Sequence, residues 1–248
     1  MSKPIVCDTN VWYDLSNRAQ PQSDTVLIGT LINVIELTRS NWLPEHIEVV
    51  RKACVQLMLP RRTIRIDPPM VHIARISDID CEFDSETNAR DCLDFVCELA
   101  DGADLRSERI SEFRSALVRE RSRQMLAVDG LNNLLKDVRL MGISKRDPNR
   151  DKSLESTKRL ITTMVSNSTK REVTIDQINW DEIELFLYVT HSLHLEMEVS
   201  KRRFQPNDLG DQYNLVYVGK DELYWTAEQR WIRVVQSAGM GHYLKSDD

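Results

Sequence analysis

A chain of 248 residues, 41% hydrophobic and 29% charged, suits one large domain, or one domain carrying a sizeable insertion, with a proper buried core. Its formal net charge of −6 argues against a general nucleic-acid coat, and no run of about 18 apolar residues offers a membrane span. No secretory signal precedes the first apolar run, and the five cysteines (Cys7, Cys54, Cys81, Cys92, Cys97) are scattered without Cys-x-x-Cys spacing, so a cytoplasmic protein with reduced thiols is expected.

The first element is Pro4-Ile-Val-Cys7, short, apolar and β-branched, which reads as a buried parallel strand ending at Asp8-Thr9-Asn10. Trp12, Tyr13 and Leu15 follow in a turn into a first helix. Val26-Leu-Ile-Gly29 is a second strand, Thr30 a helix cap, and Leu31 to Thr38 an apolar helix in which Glu36 is the single charge. A helix from about Glu45 to Leu59 and a strand from Arg62 to Ile66 complete a βαβα order, which predicts a parallel sheet with helices on its faces.

After Pro68-Pro69 the pattern changes. Most of residues 88–165 is charged, helix-forming sequence, with Gly142 and Lys145 to Lys152 as a connection between helices. Asn179 and Glu182 are spaced as a capping box for a helix reaching about Ser200, with Ile183, Phe186, Leu187, Leu193 and Met197 as its buried stripe. Pro206-Asn207-Asp208 opens a helix through roughly Val218. Glu222 to Trp225 suits a strand, Ala227 to Ala238 a helix, and His242 to Leu244 a closing edge strand. The expected organisation is a discontinuous α/β core of residues 1–67 and 200–248, with 68–199 as a mostly helical insertion.

Charge is unevenly spread. Leu105 to Ile175 holds 16 Lys+Arg against 9 Asp+Glu, and the rest of the chain 17 against 30. Such a basic stretch can track phosphates while an acidic site holds metal, or it is simply a solvated helical surface.

Carboxylates stand where a strand ends or a helix begins at Asp8, Glu36, Asp208, Asp211 and Glu228. Singly, each has a plain explanation: a turn residue, a surface charge on a helix, or a helix N-terminal charge that favours the dipole. Asp208 and Asp211, three residues apart, share a helix face. Open α/β sheets bind ligands at the carboxyl edge of their strands, where these residues would collect.

Together they form a pattern. Asp-Thr-Asn after the first strand, Glu on the next helix, Asn-Asp-Leu-x-Asp opening a late helix and a strand ending in Thr-x-Glu: this order resembles the PIN domain family. The resemblance covers about residues 3–67 and 200–245. It implies a three-layer α/β/α fold with a central parallel sheet and a metal-dependent nuclease, most often acting on RNA. In many small bacterial members it implies the toxin of a toxin–antitoxin pair. Asp8, Glu36, Asp211 and Glu228 match the family's acidic positions, Asp208 is a frequent companion, and Asn10 and Thr226 match its polar helpers. The last acidic position is more usually Asp, so Glu228 carries its carboxylate one methylene further out. The long middle segment is absent from the smallest members.

Carboxylates forced together repel, and some must protonate or bind a cation. Oxygen ligands with almost no His or Cys nearby favour Mg²⁺ or Mn²⁺ over zinc. Under this reading Asp8 and Asp211 are direct ligands, and Glu36 completes the site or orients the water. Asp208 and Glu228 serve a second ion, about 4 Å away, or hold its waters. Asn10 and Thr226 hydrogen-bond neighbouring carboxylates or phosphate oxygens, and Arg202 and Arg203 are candidates for substrate phosphate.

Other signals are weaker. His191 and His194 share a helix face but lack the adjacent Glu of a zinc hydrolase. Cys7, Cys92 and Cys97 are core filler. Trp225 and Trp231 could stack bases, with core packing as the plainer role. The leading expectation is a Mg²⁺/Mn²⁺-dependent endoribonuclease, a toxin or defence effector, with RNA as substrate and an antitoxin, another regulatory protein or a second copy as partner. The alternatives are a catalytically inactive binding module on the same fold and a structure-specific DNA nuclease. A haloacid-dehalogenase-like phosphatase would need a second Asp where Asn10 stands.

Overall fold

A computed structural model of the chain describes residues 2–17, 25–39, 43, 46–81, 86–103, 150–200 and 203–246, with isolated positions between 115 and 133. Four strands, β1 (Ile5–Cys7), β2 (Leu27–Thr30), β3 (Arg62–Arg65) and β4 (Leu223–Trp225), form one sheet in the order β3-β2-β1-β4. All three pairings are parallel, and β4, from the far end of the chain, lies beside β1 in the register Val6↔Tyr224 and Cys7↔Trp225. The α/β class and parallel sheet expected from the βαβα order are present. The sheet also unites the first and last segments.

The central strands are short, largely apolar and wholly buried because both faces are covered. Side chains alternate across the sheet. Ile5, Cys7 and Leu27 enter one core with helices α1 (Thr9–Asn17), α3 (Ile47–Leu57) and α5 (Glu86–Ala100). Val6, Ile28 and Tyr224 enter the other with α4 (Pro69–Ile76), α6 (Arg150–Thr169), α7 (Glu184–Ser200) and α9 (Gln229–Ser237). The helix after β2, α2 (Leu31–Thr38), serves both cores, through Leu31 and Ile32 on one side and Val34 and Leu37 on the other. The described helices of segment 68–199 therefore share the cores built by the two chain ends.

Helix α2 starts where its sequence says it should. The Thr30 hydroxyl accepts from Asn33 N–H at 3.3 Å and the Asn33 amide oxygen accepts from Thr30 N–H at 2.9 Å, a reciprocal cap. At Gly29 a Cβ would stand 2.3 Å from Leu57 Cδ1, so the lack of a side chain there lets α3 lie tight against β2.

Two boundaries and one burial pattern differ from expectation. Asn179 and Glu182 do not open α7: Thr174 and Gln177 cap a 3-10 turn, a further turn follows, and the helix begins at Glu184. The expected stripe on α7 is buried, but Leu185, Val189, Thr190 and His191 are buried as well. Helices α6, α9 and α8 (Pro206–Asn214) surround it, so burial extends well beyond one face. The closing strand is reduced to a 3-10 turn, Gly241–Tyr243, and one parallel bridge between Tyr224 and Leu244. Gly142 and residues 145–149 lie outside the described residues, as does most of the basic stretch. Among the described residues no helix is long and apolar enough to cross a membrane.

Candidate active site

Asp8 follows β1 directly, and its N–H donates to Trp225 O of β4 at 2.8 Å, fixing it at the carboxyl edge of the sheet. Its side chain is buried at 3% exposure. Oδ1 accepts the Thr9 N–H and Oδ2 the Thr226 hydroxyl, each at 2.8 Å. Burial raises the carboxyl above its ordinary range, the two hydrogen bonds oppose the rise, and the Glu228 charge adds to it. The Thr226 hydroxyl also accepts from Glu228 N–H at 3.1 Å, tying the segment before α9 to Asp8.

Glu36, on α2, turns Oε2 to the Thr9 hydroxyl, which in turn accepts from Asn33 Nδ2 at 3.1 Å. Asn33 is itself fixed, since its amide oxygen takes the Trp12 indole N–H at 3.2 Å besides the Thr30 N–H. One polar chain thus runs from α1 through the start of α2 to the Glu36 carboxylate. Burial pushes Glu36 up to about 7, with Asp8 and Glu228 adding and the Thr9 hydroxyl and Arg39 opposing.

Asp211 comes from α8. Its Oδ2 accepts the indole N–H of buried Trp231 at 2.8 Å. Burial pushes it up to about 8, helped by the charges of Asp8, Glu36 and Glu228 and opposed by the indole. Helices α8 and α2 meet closely at Gly210, where a Cβ would lie 3.2 Å from Glu36 Oε1. Asp8, Glu36, Asp211 and Glu228, spread over 220 positions of chain, therefore lie within one another's electrostatic reach at one edge of the sheet.

Asp208 is arranged differently. It is buried at 1% exposure, with Oδ1 2.5 Å from Arg230 Nη2 and Oδ2 accepting the Gln205 N–H at 3.0 Å. Arg230 also lies over the Trp231 ring at 5.8 Å. Oδ1 joins α8 to α9 and Oδ2 caps the start of α8 itself, where a role at a second ion was expected.

Of the polar helpers, Thr226 bonds the neighbouring carboxylate and Asn10 is exposed on the first turn of α1. Arg203 is exposed ahead of α8, and Arg202 lies outside the described residues. Trp231 is fully buried and cannot stack a base, whereas the half-buried Trp225 carries Lys245 Nζ 4.1 Å over its ring. His191 is buried with Thr157 Oγ1 at 3.2 Å from Nδ1, and burial lowers His194 to about 4, which suits packing. Cys7 is fully buried, which pushes its thiol far up and leaves it inert.

The sequence reading gave no site role to Thr9, Asn33, Gly210 or Tyr224, and it did not foresee that Trp231 would hold Asp211. Thr9 adjoins Asp8, and Asn33 sits at the third helical position after a Thr cap, so both carried a local signal. The places of Trp231, Gly210 and Tyr224 at the site carried none, because they arise from α8, α9 and β4 coming together. Tyr224 is wholly buried, and its hydroxyl lies beside Asn214 without a hydrogen bond of normal geometry.

The donors are all carboxylate oxygens, the chemistry of a hard divalent cation. Gly210 keeps space beside Glu36 Oε1 that a Cβ would fill. Among the described residues no three His, Cys, Asp or Glu side chains stand at metal-ligand spacing. Like charges in a low-dielectric pocket spread apart or protonate, and Glu36 and Asp211 each turn one oxygen to a protein donor. Compared with known proteins, the chain matches no family model, no curated protein and no solved structure.

Proposed function

We propose that the protein is a Mg²⁺- or Mn²⁺-dependent nuclease of PIN-like type, hydrolysing phosphodiester bonds in RNA. The observation that carries this reading is the convergence of Asp8, Glu36 and Asp211 from β1, α2 and α8, with burial and the neighbouring negative charges raising each carboxyl above its ordinary range. A cation relieves that repulsion, and perturbed carboxylates at a sheet edge are where such chemistry is sited.

Asp8 and Asp211 would hold the cation, which when bound supplies Lewis acidity and an activated water. The chain's own residues do the rest. Thr226 and the Thr9 N–H hold both oxygens of Asp8, and Trp231 holds Asp211 by Oδ2, leaving Oδ1 to the site. Glu36, pushed to about 7 and held by Oε2, can take a proton at Oε1 from the attacking water near neutral pH. Glu228 adds negative charge at the rim, and exposed Arg203 and Asn10 are available to phosphate oxygens.

Labelled single-stranded RNA, single-stranded DNA and flap DNA, each incubated with and without Mn²⁺, test the reading. Metal-dependent cleavage of RNA is expected, and Asp8→Asn should abolish it while leaving the circular dichroism spectrum intact. Equal cleavage by wild type and variant, or cleavage in EDTA, would refute this assignment; preference for flap DNA would move the substrate to DNA. The lack of ligand spacing favours one second reading, a nucleic-acid or protein binding module without catalysis. That reading requires RNA to be bound but left whole with either metal. A small adjacent gene encoding an inhibitor of the cleavage would make the protein the toxin of a toxin–antitoxin pair.

A further inference from the structure

An edge lined by Asp8, Glu36, Asp211 and Glu228 repels phosphate once those groups ionise. A nucleic acid bound there needs a cation close by that is not already spent on a carboxylate. Arg230, over the Trp231 ring, does not qualify, because its Nη2 is bound to Asp208 Oδ1. Lys245 does.

Trp225 ends β4 opposite Cys7, and two backbone hydrogen bonds fix what stands on either side of this strand end. On the β1 side Trp225 O accepts the Asp8 N–H at 2.8 Å, and on the outer side Tyr224 O accepts the Lys245 N–H at 2.9 Å. Lys245 is therefore held at the same end of β4 as Asp8. Its ammonium lies 4.1 Å from the centre of the Trp225 ring and donates to the carbonyl of the next residue, Ser246, at 3.4 Å. Among the described residues no carboxylate pairs with it.

The ring beneath is half-buried, packed in part against the core that holds Cys7. Among the described residues Trp12, Trp180 and Trp231 each give the indole N–H to a protein oxygen. Trp225 gives its own to none, and that nitrogen reaches solvent. An unspent donor, an aromatic face and an unpaired ammonium thus stand together beside Asp8. A cation–π contact at a half-exposed ring holds the ammonium weakly, so an anion displaces it readily.

We propose that Trp225 and Lys245 form a nucleotide subsite at this edge, in which Lys245 leaves the ring to bind a backbone phosphate of single-stranded RNA and the uncovered ring face takes the neighbouring base. This rests on the nucleic-acid reading and deepens it by setting the path of the strand, from Asp8 toward the outer side of β4. No cation on the carboxylates is needed for it. Every base has a π face, so such a subsite selects single strands without selecting sequence.

Binding of labelled single-stranded RNA to the full chain is measured by fluorescence anisotropy in EDTA at several salt concentrations, together with the quenching of tryptophan emission. Lys245→Ala should lower affinity several-fold and reduce the slope of log affinity against log salt by about 0.7, with an unchanged melting temperature, and Lys245→Arg should restore both binding measures. RNA should quench wild-type emission, and Trp225→Phe should remove most of that quench. Wild-type affinity and salt slope in Lys245→Ala would overturn the proposal, as would an undiminished quench in Trp225→Phe. If the wild type neither binds RNA in EDTA nor cleaves it with Mn²⁺, the nucleic-acid reading itself is overturned, and this proposal with it.

Discussion

Gly210 lies inside α8, where alanine would ordinarily stabilise a helix by about 0.5–1 kcal/mol. Here the added Cβ would lie 3.2 Å from Glu36 Oε1, so the carboxylate must give way. Gly210→Ala should leave the melting temperature level or slightly higher while lowering metal-dependent cleavage by tenfold or more. A variant as active as wild type would mean that Glu36 has no fixed place in the chemistry. The same residue marks what could be read in advance. Asp8 and Thr226 announce themselves at strand ends, Glu36 as the single charge of an apolar helix and Asp211 as the carboxylate one turn on from Asp208. Gly210 is legible only once α8 lies against α2, and Trp231 reads as a core residue until its indole is seen to meet Asp211.

At the scale of elements, α8 and α9 are joined by Asp208 and Arg230. Asp208→Asn keeps an oxygen for the Gln205 N–H, so it should cost little stability and little activity. Arg230→Ala leaves a carboxylate of 2% exposure without its cation and should cost up to about 3 kcal/mol, discounted because Arg230 is 33% exposed. Urea unfolding of both variants checks the order. Asp208→Asn being stable but inactive would return this residue to the metal site. Sequence identified the strands and most helices well because short apolar β-branched runs and helix caps are local signals. It misplaced the start of α7, where Asn179 and Glu182 have capping-box spacing but Thr174 and Gln177 form the cap. It also overestimated the closing strand, because His242 to Leu244 holds only one bridge to β4.

For the whole molecule, the carboxylates make stability depend on pH in a stated direction. Burial raises Glu36 from 4.5 to about 7 and Asp211 from 3.8 to about 8. Below about pH 4 both are largely protonated, folded or unfolded, and their contribution is fully present. Between there and pH 8 the folded protein keeps protons that the unfolded chain has shed, so the metal-free protein loses stability as pH rises. Thermal melts in EDTA should therefore decline from pH 5 to pH 8, and added Mn²⁺ should offset the decline most at the alkaline end. Melts that rise over this range would contradict the burial of these groups. The parallel sheet makes this coupling possible, since it brings β1 and β4 from opposite ends of the chain into register and sets Asp8 against Thr226.

The most direct test is calorimetric titration of Mn²⁺ at pH 7 in two buffers of different ionisation enthalpy. Cation binding to Asp8, Glu36 and Asp211 together must expel the protons that burial holds on Glu36 and Asp211, so the heat should differ between buffers by the equivalent of about one released proton. Asp8→Asn and Asp211→Asn should each weaken binding by tenfold or more. Identical heats in the two buffers, or no binding by the wild type, would contradict a cation site built from these carboxylates.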